Sequence, residues 1–139
     1  MAAIPTPVVT RPLSDSTDSL LRFALRADAT VCAGLGLLVA MAADPLSRLS
    51  GLSPTVEWVS GAALVGYGAL LYVLAAVSDV RCVGVAVVAG NVGFAVAVAA
   101  VLLSGRLPLT PAGVVMVVAF TVATLALAYL QYLGVRRLA

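Results

Sequence analysis

The chain has 139 residues and a formal net charge of +2, and 63% of its residues are hydrophobic whereas only 10% are charged. A water-soluble domain averages roughly 45–50% apolar and about 25% charged residues, and a small domain has too little interior to bury more. The composition, with a mean hydropathy of +1.15, therefore excludes a soluble globule and predicts an integral membrane protein.

The chain begins with a polar segment, residues 1–21, which is predicted to be a cytoplasmic tail. Four apolar segments follow, over about residues 25–43, 54–77, 82–103 and 111–133. Each has about the 20 residues that a membrane-spanning helix needs. Residues 44–53 are predicted to form a loop, because Asp44-Pro45 breaks a helix. The expected fold is an all-α membrane four-helix bundle over residues 22–139.

The first span has an alternative interpretation as a secretory signal peptide. Arg22 and Arg26 precede the apolar run, and residues 40–42 resemble a small-residue cleavage site. The distance from residue 1, and the presence of Asp28 within the apolar run, favour a membrane span.

Spans two and four begin alike. Ser53-Pro54 and Thr110-Pro111 each combine an N-cap side chain with a proline in the first turn, 57 residues apart. Tyr72 and Tyr129 each follow the proline by 18 residues. The match predicts two tandem helical hairpins that enter the membrane in the same sense, although chance similarity in an Ala- and Val-rich chain is the alternative.

All eight basic residues are arginines, and they are unevenly distributed. Four spans place both termini and the second turn on one side, which would carry six arginines against two on the other side: Arg11, Arg22, Arg26, Arg81, Arg136 and Arg137 against Arg48 and Arg106. Since positive residues favour the cytoplasmic side, we expect a multi-pass plasma-membrane protein with both termini in the cytoplasm.

Three polar residues interrupt the apolar segments in their cytoplasmic halves. Asp28 lies about one turn into span one, Asn91 in the middle of span three, and Gln131 near the end of span four. Because polar groups are costly in hydrocarbon, we expect them to form one cluster, which Arg26 joins if it turns inward. The cluster is either a packing clasp between helices or a ligand or ion site.

Small residues and aromatic residues have further predicted roles. Ala89, Gly93 and Ala97 form one small-residue face in span three, and Ala62 with Gly66 forms another in span two. Such faces permit close helix packing, inside the bundle or with a partner. The aromatic residues Trp58, Tyr67, Tyr72, Tyr129 and Tyr132 are predicted to be interface anchors.

The sequence lacks the residues of most catalytic and metal sites. It contains no His and no Lys, which excludes His-ligated metals, Ser-His-Asp triads and lysine Schiff bases. Cys32 and Cys82 have no CxxC spacing and are interpreted as packing residues. We therefore expect no cofactor, no metal and no enzymatic activity, and too few scattered arginines remain for a nucleic-acid surface.

The sequence resembles an uncharacterised family of small four-span integral membrane proteins of actinobacteria. The resemblance covers about residues 22–137 and is carried by residues 25–29, Asn91 with Phe94, residues 109–113 and residues 130–137. It implies the topology and little more. Two functions stay open: a non-enzymatic accessory or scaffold subunit, with a second copy or another membrane protein as its partner, or a small transporter that uses the polar cluster.

Overall fold

The computed structural model describes residues 18–139, so residues 1–17 of the predicted tail lie outside the described part of the chain. Five helices occupy this range: α1 (Ser19–Met41), α2 (Ala43–Ser50), α3 (Pro54–Leu74), α4 (Val80–Ser104) and α5 (Pro111–Arg137). All except α2 are long and apolar enough to span a membrane. The predicted all-helical fold with four spans is thereby confirmed.

Three of the four long helices extend beyond the apolar segments that predict them at one or both ends. Helix α3 instead ends at Leu74, before the predicted end at about residue 77, and α1 ends at Met41, before about residue 43. Helix α1 begins at Ser19 instead of about residue 25, and α5 continues to Arg137 instead of about residue 133. The apolar pattern marks where a helix meets hydrocarbon, whereas arginine and leucine prolong a helix beyond that boundary because both have high helix propensity. Asp28 consequently lies farther inside its helix than the sequence suggests.

The prediction of a loop over residues 44–53 is wrong, because most of this segment forms α2. Proline is well accommodated in the first turn of a helix, and Asp44 in the same turn interacts favourably with the helix dipole. The Asp44-Pro45 pair therefore opens a new helix after α1 ends. Helix α2 ends at Ser50, and the next residue, Gly51, has a φ of 86°, in the left-handed region that favours glycine.

Helix α1 occupies the centre of the fold. It packs along α3 on one side and along α5 on another, and it also contacts α4, whereas α3 is joined mainly to α1 and α2. Helices α1 and α4 run in one direction, and α3 and α5 run in the other. We call the end where α1 and α4 begin the near end, and the opposite end, where α2 lies, the far end.

The contact between α1 and α3 depends on three glycines. Gly36 of α1 faces Gly61 of α3, and a methyl group added at Gly61 would lie 2.6 Å from the Gly36 carbonyl oxygen. Gly68 lies equally close to the backbone of Ala29 and Ala33. The missing side chains thus allow the two backbones to touch, as small residues commonly do in membranes.

The small-residue faces predicted from the sequence do not form these contacts. Gly66 and Gly93 have open space where a side chain would be, and Ala89 and Ala97 are exposed. Helix α4 instead packs on α5, where the rings of Phe94 and Phe120 meet edge to face with centroids 5.9 Å apart. The two hairpins therefore differ in how their helices pack.

The far end is held together by polar contacts of α2. The Ser50 hydroxyl donates to the carboxylate of Glu57 in the first turn of α3. Thr110 donates its hydroxyl to the Leu49 carbonyl and its backbone N–H to the Ser50 carbonyl. The hydroxyls of Ser53 and Thr110 also accept from the first turns of α3 and α5, which begin at Pro54 and Pro111.

We predict that Gly61→Ala destabilises the protein, because its methyl group would lie 2.5 Å from the backbone nitrogen of Ala40 and force α1 and α3 apart. Overpacking of this kind costs about 1–3 kcal/mol. Gly66→Ala, on the same helix but in open space, is the matched control, and its higher helix propensity is expected to stabilise by up to about 1 kcal/mol. Unfolding titrations in mixed detergent micelles measure both; equal effects would contradict the assigned helix contact.

Candidate functional site

The structure brings Asp28, Asn91 and Gln131 together in one hydrogen-bonded cluster. One carboxylate oxygen of Asp28, Oδ2, accepts from Nε2 of Gln131 at 2.7 Å and from Nδ2 of Asn91 at 3.2 Å. The same Asn91 nitrogen also lies 3.2 Å from Oε1 of Gln131. A single carboxylate thereby connects α1, α4 and α5.

Two further residues, which were not predicted from the sequence to belong to the cluster, complete it. The Tyr67 hydroxyl donates to Oδ1 of Asn91 at 3.2 Å, which adds α3. The Cys32 thiol donates to the other oxygen of Asp28, Oδ1, at 3.4 Å. We refer to these five residues, Asp28, Cys32, Tyr67, Asn91 and Gln131, as the polar cluster; its members come from all four long helices.

The helical repeat places each of these side chains on an inward face. Asp28 and Cys32 belong to a buried face of α1 that also includes Leu21 and Leu25, and residues four apart in a helix lie one above the other. Asn91 continues the buried face formed by Val80, Gly84 and Val87 on α4. At 1.5 Å per residue, Asp28 lies about 13 Å along α1 from Ser19.

Both residues that were missed carry a signal in the sequence. Tyr67 is 13 residues into a helix of 21, which is too deep for an interface anchor, and a buried tyrosine hydroxyl needs a hydrogen-bond partner. Cys32 follows Asp28 by four residues, the spacing at which helical side chains meet. The interpretation of Cys82 as a packing residue is wrong, since its side chain is exposed.

The structure does not place Arg26 in the polar cluster. Its side chain is exposed on α1, because Arg26 and Asp28 point about 200° apart around the helix. Arg22 is the arginine that turns inward: its Nε atom lies 2.8 Å from Asp18, and its Nη1 atom donates to the carbonyls of Ala75 and Val77 beyond the end of α3. Arg22 thus caps α3 without entering the cluster.

Close packing separates the polar cluster from the near end. Leu21 of α1 is completely buried, and it fits against Gly84 of α4 and Gly134 of α5, where added methyl groups would lie 2.8 Å from its atoms. Leu25 and Leu71 are likewise completely buried. Apolar packing therefore lies between the cluster and the nearest polar boundary.

Four of the five residues of the cluster are buried, and Tyr67 is half-buried. Asp28 is 1% exposed, Asn91 4% and Gln131 0%. Within residues 18–139, every fully buried side-chain nitrogen and oxygen has a hydrogen-bond partner. The hydrogen bonds within the cluster therefore stabilise one arrangement of the helices.

The cluster links the four long helices to one another through side-chain hydrogen bonds. Its only carboxylate accepts bonds from two amides and a thiol, so its oxygens already have partners. No group of three His, Cys, Asp or Glu side chains suitable for a metal occurs in the described residues 18–139. Cys82 lies at the near end of α4, outside the cluster.

Comparisons of the chain with protein-family models, with curated proteins and with solved structures gave no match.

We predict that Asp28→Leu lowers the free energy of unfolding much more than Asp28→Asn does. Asparagine keeps an oxygen that can accept from Asn91 and Gln131, so the fold should be retained with a loss of about 1 kcal/mol. Leucine removes both carboxylate oxygens, so Nε2 of Gln131 and the Cys32 thiol lose their acceptors and Asn91 keeps only Oε1 of Gln131. This should cost about 2–3 kcal/mol. The free energies of unfolding in detergent micelles test this; equal losses would show that Asp28 does not join the helices.

Proposed function

We propose that the protein is a non-enzymatic accessory or scaffold subunit whose α4 binds a helix of another membrane protein chain. The observation that supports this is an exposed face of α4 formed by five small residues: Ala86, Gly90, Gly93, Ala97 and Ala100. We call it the α4 small-residue face. It lies away from the buried face through which α4 packs on its own chain.

The α4 small-residue face repeats the groove on α1 that holds α3. The residues of α1 that lie closest to the α3 glycines are Ala29, Ala33, Gly36 and Ala40. Adding 57, the offset between the two Pro-initiated helices, gives Ala86, Gly90, Gly93 and Ala97, all of them small. The same pattern therefore holds a helix on α1 and lies open on α4.

The glycines of this face have no packing role inside the described chain. Gly90 and Gly93 have nothing within 4 Å of where a side chain would be. A glycine inside a helix is less favourable than alanine by about 1 kcal/mol. A partner helix that approaches as closely as α3 approaches α1 would offset this cost through backbone contact.

The closed polar cluster supports a structural role over catalysis. Enzymes and transporters need a site that substrate or water reaches, whereas Asp28 and Gln131 are buried and bonded to other members of the cluster. In this proposal the cluster fixes the four helices so that α4 presents a constant surface. The arginine distribution supports a plasma-membrane location with both termini in the cytoplasm. We also propose that the chain belongs to the actinobacterial four-span family that its sequence resembles.

Disulfide cross-linking in native membranes tests the proposal. We expect Ala97→Cys, in a Cys82→Ser background, to form a cross-linked product, because residue 97 lies on the α4 small-residue face. Val92→Cys is the matched control: it is equally exposed on α4 but lies about 120° around the helix from that face. The simplest occupant is α4 of a second copy, which predicts a product of twice the chain's mass.

The mass of the product identifies the occupant. A product of a different mass would assign the face to another protein, and Gly93→Leu should abolish either product by blocking close approach. Equal cross-linking at positions 92 and 97 would refute the proposal, and no product at either position would exclude a second copy as the occupant, since a disulfide needs a thiol on both chains.

A transporter is the second candidate, and one observation favours it. Asp28 is bound only by neutral donors in residues 18–139, as the proton- or cation-binding carboxylate of a transporter would be in its unloaded state. Cation or proton flux into liposomes that contain the purified protein is the discriminating measurement. Flux that Asp28→Asn abolishes while the fold persists would favour transport over the scaffold role.

A further inference from the structure

The near end of the bundle carries an excess of exposed positive charge. Contacts of Leu21 with Gly84 and Gly134 place the starts of α1 and α4 beside the end of α5. Four exposed arginines therefore lie toward one end of the molecule: Arg26, Arg81, Arg136 and Arg137. We call these four residues the arginine rim.

The carboxylates at the near end do not neutralise the arginine rim. Within residues 18–139 there are two of them, Asp18 and Asp79. Asp18 is paired with Arg22, and Asp79 accepts from the backbone N–H of Cys82 as the N-cap of α4. None of the four rim arginines forms a salt bridge in this range, so their guanidinium groups face outward without an acidic partner.

The far end has no such excess. Its two arginines, Arg48 and Arg106, are matched in number by Asp44 and Glu57. The asymmetry of charge therefore exists in the folded protein as well as in the sequence. Arg22, the near-end arginine that turns inward, binds Asp18 and a carbonyl at the end of α3. The arginines of the rim stay exposed.

The position of the arginine rim indicates which kind of ligand it can bind. Three exposed tyrosines lie toward the same end: Tyr72, Tyr129 and Tyr132. Such tyrosines sit at the headgroup level of a bilayer. The Arg136 guanidinium lies 5.8 Å from the centre of the Tyr132 ring, which holds it near this level. Guanidinium groups bind phosphate oxygens through paired hydrogen bonds.

We propose that the arginine rim binds the phosphate-bearing headgroups of anionic phospholipids, so that the protein gathers these lipids around its near end. The inference does not depend on the scaffold role. Each basic residue close to an anionic lipid surface strengthens binding by about fivefold, so the rim gives a preference for phosphatidylglycerol over zwitterionic phosphatidylcholine.

Native mass spectrometry of the full chain in detergent tests the proposal by measuring the apparent dissociation constants of dioleoyl phosphatidylglycerol and dioleoyl phosphatidylcholine. The double variant Arg81→Gln/Arg137→Gln should bind phosphatidylglycerol about 25-fold more weakly. The matched control, Arg48→Gln/Arg106→Gln, removes the same charge from the far end and should bind as the unaltered chain does. Circular dichroism verifies that each variant keeps its helices, and Arg137→Gln alone, expected to lose about fivefold, replaces the double variant if that variant does not fold.

Three results would overturn the proposal. If the rim variant and the far-end variant weaken phosphatidylglycerol binding equally, the binding depends on net charge alone and not on the rim. Equal affinity of the unaltered chain for the two lipids would remove the preference. Displacement of the lipid by millimolar inorganic phosphate would show that the rim binds free phosphate and not a lipid headgroup.

Discussion

Inside a bilayer, water does not drive helices together, because lipid tails are as apolar as leucine side chains. Association must come from backbones that approach closely and from polar groups that find one another. Helix α1 supplies both: Gly36 gives α3 a surface without side chains, and Asp28 gives α4 and α5 a hydrogen-bond acceptor. The remaining helices are arranged around these two features of α1.

The chemistry of Asp28 explains which residues surround it. Both oxygens of its carboxyl group accept hydrogen bonds, and each group that touches them donates one. The amides of Asn91 and Gln131 do so and keep their own oxygens for further partners, which is why Asn91 also accepts from Tyr67. An aliphatic residue at position 91 would leave the Tyr67 hydroxyl and Oε1 of Gln131 unpaired in hydrocarbon, at a cost of about 1–3 kcal/mol for each.

Sequence reasoning identified most of the fold and part of the site. Asp28, Asn91 and Gln131 stand out because a polar residue in an apolar run is conspicuous whatever surrounds it. Tyr67 does not stand out, because tyrosine is also common at the membrane interface. Only its depth in α3 distinguishes a member of the polar cluster from an interface anchor. Helix α2 was missed because proline marks both the end of one helix and the start of the next.

The small residues show a different limit of the sequence. Gly61 and Gly66 lie in the same helix, yet one touches α1 and the other faces open space. Helical periodicity gives the angle between two such faces, but the choice of the buried one depends on what the partner helix presents. A tertiary contact such as that of Gly36 with Gly61 cannot be read from either helix alone.

The central position of α1 has a consequence for biosynthesis. Gln131 follows Asp28 by 103 residues, so at about 5–20 residues per second it is synthesised about 5–20 s later. During that interval the first hairpin can form its glycine contacts, but the carboxylate of Asp28 waits for the amides of Asn91 and Gln131. The hydrogen bonds of Asp28 in α1 are therefore completed only after α5, the last helix, has been synthesised.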